Sequence, residues 1–176
     1  HCPNCRAEGK MEGKGTQLIC RACGQVHEMD EYGQLHCTTG ETRFPHIPDW
    51  YDWQREQGRA AIQDGSYRLD TEVSIGMMVD HKALYMVGEG RLVHDENGFT
   101  LTGCEGKLRY NQSPLASHCL NVDYHWYEIG DVICIGNRRT LYYCFPTEGD
   151  HAAKTRLAAA ETFLGCKLTL SKLLEE

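Results

Sequence analysis

Two Cys-x-x-Cys pairs, Cys2-Pro3-Asn4-Cys5 and Cys20-Arg21-Ala22-Cys23, stand fourteen residues apart at the start of the chain. Thiolates are zinc ligands, and two tight knuckles supply the four that a tetrahedral ion takes. Such a set leaves no coordination position for water or substrate, so its chemistry is structural. A dithiol redox motif would need a single Cys-x-x-Cys at a strand-to-helix junction, whereas here there are two, set among Gly and charged residues. His27, His36 and Cys37 are the nearest reserve ligands. With four cysteines closing the site, they are expected at the surface or the edge of a core.

The residues between and after the knuckles predict a zinc ribbon. Gly9, Gly13 and Gly15 turn the chain, Leu18-Ile19 lead back to the metal as a strand, and Gly24 frees the backbone at the second knuckle. Residues 25–35 read as a third strand with a turn at Gly33. A unit this small buries too little apolar surface to fold alone, so metal binding must supply its folding free energy.

Composition bounds the rest. A chain of 176 residues fits a small metal module followed by one larger domain. Ten cysteines would suggest disulfides in a secreted protein, but no signal peptide is evident and the six beyond the zinc set mostly lie in apolar, strand-like contexts. They read as buried thiols of a cytoplasmic protein. No apolar run approaches the roughly 20 residues that a membrane-spanning helix needs. His1 stands where an initiating Met would, which fits a fragment of something longer. Residues 1–44 carry five Lys/Arg against six Asp/Glu, and the remainder 13 against 19. Nucleic-acid modules draw on clustered cations, so that partner is not expected. The same balance argues against a polybasic membrane patch, although Arg138-Arg139 could form a local basic pocket.

Three regions follow from the patterning: a zinc ribbon over 1–40, a linker and connecting helix over 41–66, and a β-domain over 67–176. Asp49 after Pro48 is the expected helix N-cap, and Trp50 and Trp53 share a face with Ala60 and Ala61 that is expected to pack ribbon to second domain. Seven strand-like runs follow, at 72–79, 83–93, 98–102, 107–110, 118–126, 131–135 and 140–145, separated by turn residues that include Asp80-His81. Asp150 then caps a helix that Gly165 is expected to stop. The fold class is α+β. Seven antiparallel strands closed by one C-terminal helix match the element order of PH-like or GRAM-like barrels, an argument from topology alone.

Several phrases are specific: Pro48-Asp-Trp-Tyr-Asp-Trp-Gln-Arg-Glu56, Tyr67-Arg-Leu-Asp70, Gly90-Arg-Leu-Val-His-Asp95, Tyr127-Glu-Ile-Gly-Asp-Val-Ile-Cys-Ile-Gly136, Leu141-Tyr-Tyr-Cys-Phe-Pro146 and Ala153-Lys-Thr-Arg-Leu-Ala158. Together with the ribbon, they resemble the region after the catalytic domain in bacterial 1-acylglycerol-3-phosphate acyltransferase-like proteins. The resemblance implies a parent enzyme of phospholipid synthesis, with this chain as a non-catalytic regulatory or docking module. The implied partners are the parent's catalytic domain or another protein, with peripheral lipid contact at the inner face of the membrane. Trp50, Trp53 and Trp126 are the candidate binding anchors, with Tyr127, Tyr142 and Tyr143 beside them. The alternative is a nucleic-acid-binding or transcription-associated zinc-ribbon protein.

A third class, an enzyme in its own right, rests on His118 and Asp123. Their His-x4-Asp spacing matches an acyltransferase acid/base motif, but no Pro/Gly/Arg phosphate-binding blocks follow. On one extended strand, positions five apart face opposite sides. The chain is therefore expected to have no catalytic residues. His81, His94, His118 and His125 show no metal-ligand spacing, and Cys134 and Cys144 read as small buried hydrophobes in preference to a disulfide or nucleophile pair.

Overall fold

The computed structural model describes the chain save Asp80, His81, Tyr127, Asp150 and Glu176. The 80–81 turn, His81 as a ligand, Tyr127 as an anchor and the Asp150 cap therefore lie outside the described residues. The chain is α+β, with two antiparallel sheets and two helices, and forms two compact units, His1–Gln57 and Gly58–Glu176. That division falls inside the first helix, where the patterning had set the linker and helix apart as a region of their own.

The first unit is a four-stranded meander: β1 Met11–Lys14, β2 Gln17–Cys20, β3 Val26–Met29 and β4 Leu35–Cys37, in that spatial order. The expected third strand over 25–35 is two strands. Asp30 splits it, because its carboxylate accepts from the backbone N–H of both Tyr32 and Gln34 at 2.9 Å and so holds a turn. Helix α1, Ile47–Gln63, starts two residues before Asp49, which lies in the first turn and is not the cap. The Trp50 N–H already reaches the His46 carbonyl, at 3.3 Å. Within this unit Trp50 and Trp53 are buried with Leu35, and Met11, Leu18 and Phe44 pack around them.

The second unit holds one seven-stranded sheet: β5 Leu69–Val79, β6 Ala83–Asp95, β7 Gly98–Gly103, β8 Leu108–Gln112, β9 Asn121–Trp126, β10 Gly130–Gly136 and β11 Leu141–Pro146. The spatial order is β8-β7-β6-β5-β11-β10-β9, every pair antiparallel. The expected barrel does not close. β8 and β9 are the two margins, and β8 ends where Pro114, which has no N–H for a ladder, begins a 3-10 turn at Pro114–Ala116. A side-chain bond bridges toward the far side of the sheet, from the Gly136 N–H to Gln112 Oε1 at 2.8 Å.

Helix α2, Ala152–Glu175, packs on β9, β10 and that turn. It runs ten residues past Gly165, because an interior glycine costs only about 1 kcal/mol relative to alanine. The core lies between the helix and one sheet face, with Val73, Ile75, Leu92, Leu101, Ile133 and Ile135 at 0–1% exposure. Each such side chain contributes about 1.5–3 kcal/mol on burial. Val132, Cys134 and Phe145 form a second buried cluster with Trp126 and Tyr143 packed on it, so β10 is buried on both faces.

Candidate metal centre

Each Cys-x-x-Cys sits in a turn closed by the same pair of backbone bonds. In the first knuckle the Cys2 N–H donates to the Ala7 carbonyl and the Arg6 N–H to the Cys2 carbonyl, both at 3.0 Å. In the second the Cys20 N–H reaches Gln25 and the Gly24 N–H reaches Cys20, both at 2.8 Å. The residue after the last cysteine is left-handed in each, Arg6 at φ 61° and Gly24 at φ 74°. Glycine adopts that conformation at no steric cost, whereas Arg6 bears it.

The two knuckles bring four sulfurs together. All four Sγ atoms lie within 4.8 Å of one another, with Cys2–Cys23 at 3.7 Å and Cys5–Cys20 at 3.8 Å. Thiolates bound at about 2.3 Å to one tetrahedral ion stand about 3.8 Å apart, so these separations fit a shared metal. A disulfide would need about 2.05 Å. Cys2 and Cys20 are fully buried while Cys5 and Cys23 are exposed. Burial pushes the Cys2 thiol up to about 12, whereas the backbone N–H of Gln25, with further hydrogen bonds, draws Cys23 down to about 6. A bound cation would favour the thiolate at all four positions.

The supporting shell is aromatic. Within the first unit, the Trp50 Nε1–H donates to the His1 carbonyl at 3.1 Å, and the Arg43 guanidinium lies 5.0 Å over Trp53 and 5.1 Å over Phe44 while donating to the Pro3 carbonyl. Trp50 and Trp53 are thus buried supports of the knuckles.

His36 and Cys37 stay outside the cluster, His36 exposed and paired with Asp30 at 2.9 Å. His27 is the residue whose setting sequence reasoning missed. It is 1% exposed, lies 5.1 Å from the Trp50 ring, and among the described residues has no hydrogen-bond partner at either ring nitrogen. Alternation along β3 was the available signal, since it sets His27 opposite in face to Glu28.

Burial holds the His27 pKa below its usual 6.5. In the unfolded chain the imidazole charges as pH falls through about 6.5, so the stability tied to its neutral form is present above that value and lost below it. We expect His27→Phe to remove this component. Thermal unfolding at fixed metal load should show a shallower loss of stability between neutral and mildly acid pH than in the parent chain, with the slope from thiolate protonation common to both. Equal slopes would count against the role given to His27.

Among the described residues of the second unit the histidines do not converge. His94 is buried, bonded to the Tyr67 hydroxyl at 2.9 Å and stacked 3.9 Å from Phe99; His125 is exposed. His118 lies in the loop before β9 against Phe163, at 5.2 Å, and Asp123 lies on β9, where it accepts from the Tyr124 N–H. Among the described residues, only the four cysteines form a group able to hold a metal ion. Cys134 pairs in register with Tyr143, and Cys144 with Ile133, so the two thiols occupy opposite faces of the sheet. Tyr142 is accordingly a core residue and Tyr143 lies on the other face, against Trp126 at 5.4 Å. Trp126 also lies 5.8 Å from Phe145.

No protein-family model, curated protein or solved structure matches this chain.

Proposed function

We propose that the chain is a non-catalytic docking or regulatory module, held at its N-terminal end by a structural zinc ion and belonging to a 1-acylglycerol-3-phosphate acyltransferase-like protein of phospholipid synthesis. The observation that carries the structural-metal half is the closed four-sulfur set, with cross-knuckle separations of 3.7 and 3.8 Å. Zinc is the ion because it takes four thiolates tetrahedrally and has no redox or ligand-field demand of its own. The parentage rests on the sequence phrases between Pro48 and Ala158. The acidic balance of both regions favours a protein partner over nucleic acid. A PH-like arrangement remains the analogy that the strand order and C-terminal helix support, with the sheet open at β8 and β9.

Four measurements test the reading. Elemental analysis should find one zinc per chain. The genomic sequence upstream should encode an acyltransferase domain in frame, and its absence would remove the parentage. The isolated chain should transfer no acyl group to lysophosphatidate, because no hydrogen bond joins His118 to Asp123 among the described contacts. Turnover abolished by His118→Ala would move catalysis into the β-domain. Nucleic-acid binding should be weak and fall steeply with salt; sub-micromolar, sequence-dependent gel shifts at physiological salt would promote the alternative of a nucleic-acid-binding zinc ribbon.

A further inference from the structure

The sheet of the second unit is apolar on both faces, and the α2 residues Ala152, Ala158 and Ala159 belong to the core on one of them. On the other face the register sets Tyr143 beside Cys134 and Gly76, Leu141 beside Met78, and Met78 beside Leu84, so side chains from β10, β11, β5 and β6 share it. Trp126 joins this face out of turn. Val122 packs toward the core, and strict alternation would send Trp126 there too. The left-handed His125, at φ 51°, and the register shift between Gly130 and Val132 instead bring the ring onto Tyr143 and Phe145. Half-buried Trp126, Tyr143, Leu141, Met78 and Leu84 thus extend the buried cluster outward to Met86, which is 54% exposed. A contiguous apolar face of this kind marks an interaction surface.

The two ends of this face differ in sign. At one end the β10–β11 turn carries exposed Arg138 and Arg139, neither of which makes an ion pair among the described residues. At the other end β11 finishes at Pro146↔Val73, and exposed Glu72 on β5, Glu128 before β10 and Glu148 after β11 gather there. The arginines of that end, Arg68 and Arg91, are engaged by Asp70 and Asp95. Along the strands the face therefore runs from basic, through apolar, to acidic.

We propose that this face joins two copies of the chain, sheet against sheet, about a two-fold axis that lies between the sheets and crosses the strands. Such an axis sets the strands of the two copies antiparallel, so Arg138 and Arg139 of each copy meet the acidic end of the other. The apolar middle is then sealed from water, and the charged ends form its rim. Charge order selects the occupant. A face with an apolar centre and opposite charges at its two ends complements its own two-fold image, and only with the axis across the strands. An axis along the strands would set the arginines of one copy against those of the other. The inference goes beyond the docking-module reading, and its failure would leave the zinc content and the upstream gene untouched.

The test is sedimentation equilibrium of the full chain across the micromolar range, at low and high salt. We expect a monomer–dimer equilibrium that salt weakens. Arg138→Glu with Arg139→Glu, and separately Glu72→Lys with Glu148→Lys, should each weaken the dimer at least roughly thirty-fold while keeping the parent's far-ultraviolet dichroism. Mixed in equal amounts, the two variants should regain a dimer as tight as the parent's, because each altered end then faces the opposite charge on the other copy. Met86→Asp should weaken the dimer in every pairing. A parent chain that stays monomeric overturns the proposal. So does a mixture no tighter than its components. A dimer that all of these substitutions leave intact would place the contact on another surface and overturn it equally.

Discussion

Cys20→Ser should abolish the fold of the first unit while leaving the second folded. Cys20 ends β2, is fully buried, and donates its backbone N–H into the second knuckle, so strand, turn and ligand meet at one residue. A structural zinc site of this kind contributes on the order of 10 kcal/mol, more than a unit of 57 residues can replace from its own small core. The cluster of Leu35, Trp50 and Trp53 leans on the knuckles through the Trp50–His1 and Arg43–Pro3 bonds, and should lose its order with them. Near-ultraviolet dichroism and metal content read the two events together. Full zinc occupancy in Cys20→Ser, or an unchanged aromatic signal after chelation, would count decisively against a structural metal.

The second large effect is expected where nothing is bound. Gly90 and Gly103 are register partners on β6 and β7, and the Ile75 Cδ1 atom sits over both. A Cβ on Gly90 would stand 2.3 Å from the Thr102 carbonyl oxygen and 2.6 Å from that methyl. The side chain of Ile75 could yield, but the carbonyl belongs to the ladder and cannot. Gly90→Ala should therefore cost more than about 3 kcal/mol, in the range reserved for core overpacking with backbone displacement. Denaturant titration reads it directly. Ile75→Val in the same chain should recover only a minor part, and full recovery would show that the methyl, and not the carbonyl, was the obstacle.

The difference between these two sites explains what could be read from the sequence. The metal ligands lie within 22 residues, in turns whose hydrogen bonds are local, so spacing alone carried the geometry of Cys2, Cys5, Cys20 and Cys23. The seven strands of the β-domain were legible for the same reason: turn residues and alternation are local signals. Nothing local marks Gly90 or Gly103, because their need for closeness arises from backbone carbonyls of the strand paired with each and from Ile75 on β5. Closure of the barrel is likewise a long-range property. Pro114 ends β8 locally, but the effect of that end on closure depends on where β9 and β10 come to lie. Trp50 and Trp53 are buried, at 5 and 8%, among residues of the first unit, while Ala60, expected on the same face, is exposed. That leaves Trp126, half-buried against Tyr143 and Phe145, as the most accessible of the three tryptophans. The end of α2 misled, because a glycine within a long helix carries too small a penalty to stop it.

The open sheet also has a grain in time. β10 is covered on both faces and paired on both sides, while β8 and β9 each lack a neighbour along one margin, and near Gln112 a lone side-chain oxygen stands in for a ladder. Backbone amides are released to solvent by partial openings that follow the weakest seam first. In deuterated buffer the amides of β8 and β9 should exchange well ahead of those of β10 and β11. The second unit would then open as a page turns from its free edge, with its doubly covered strand acting as the spine.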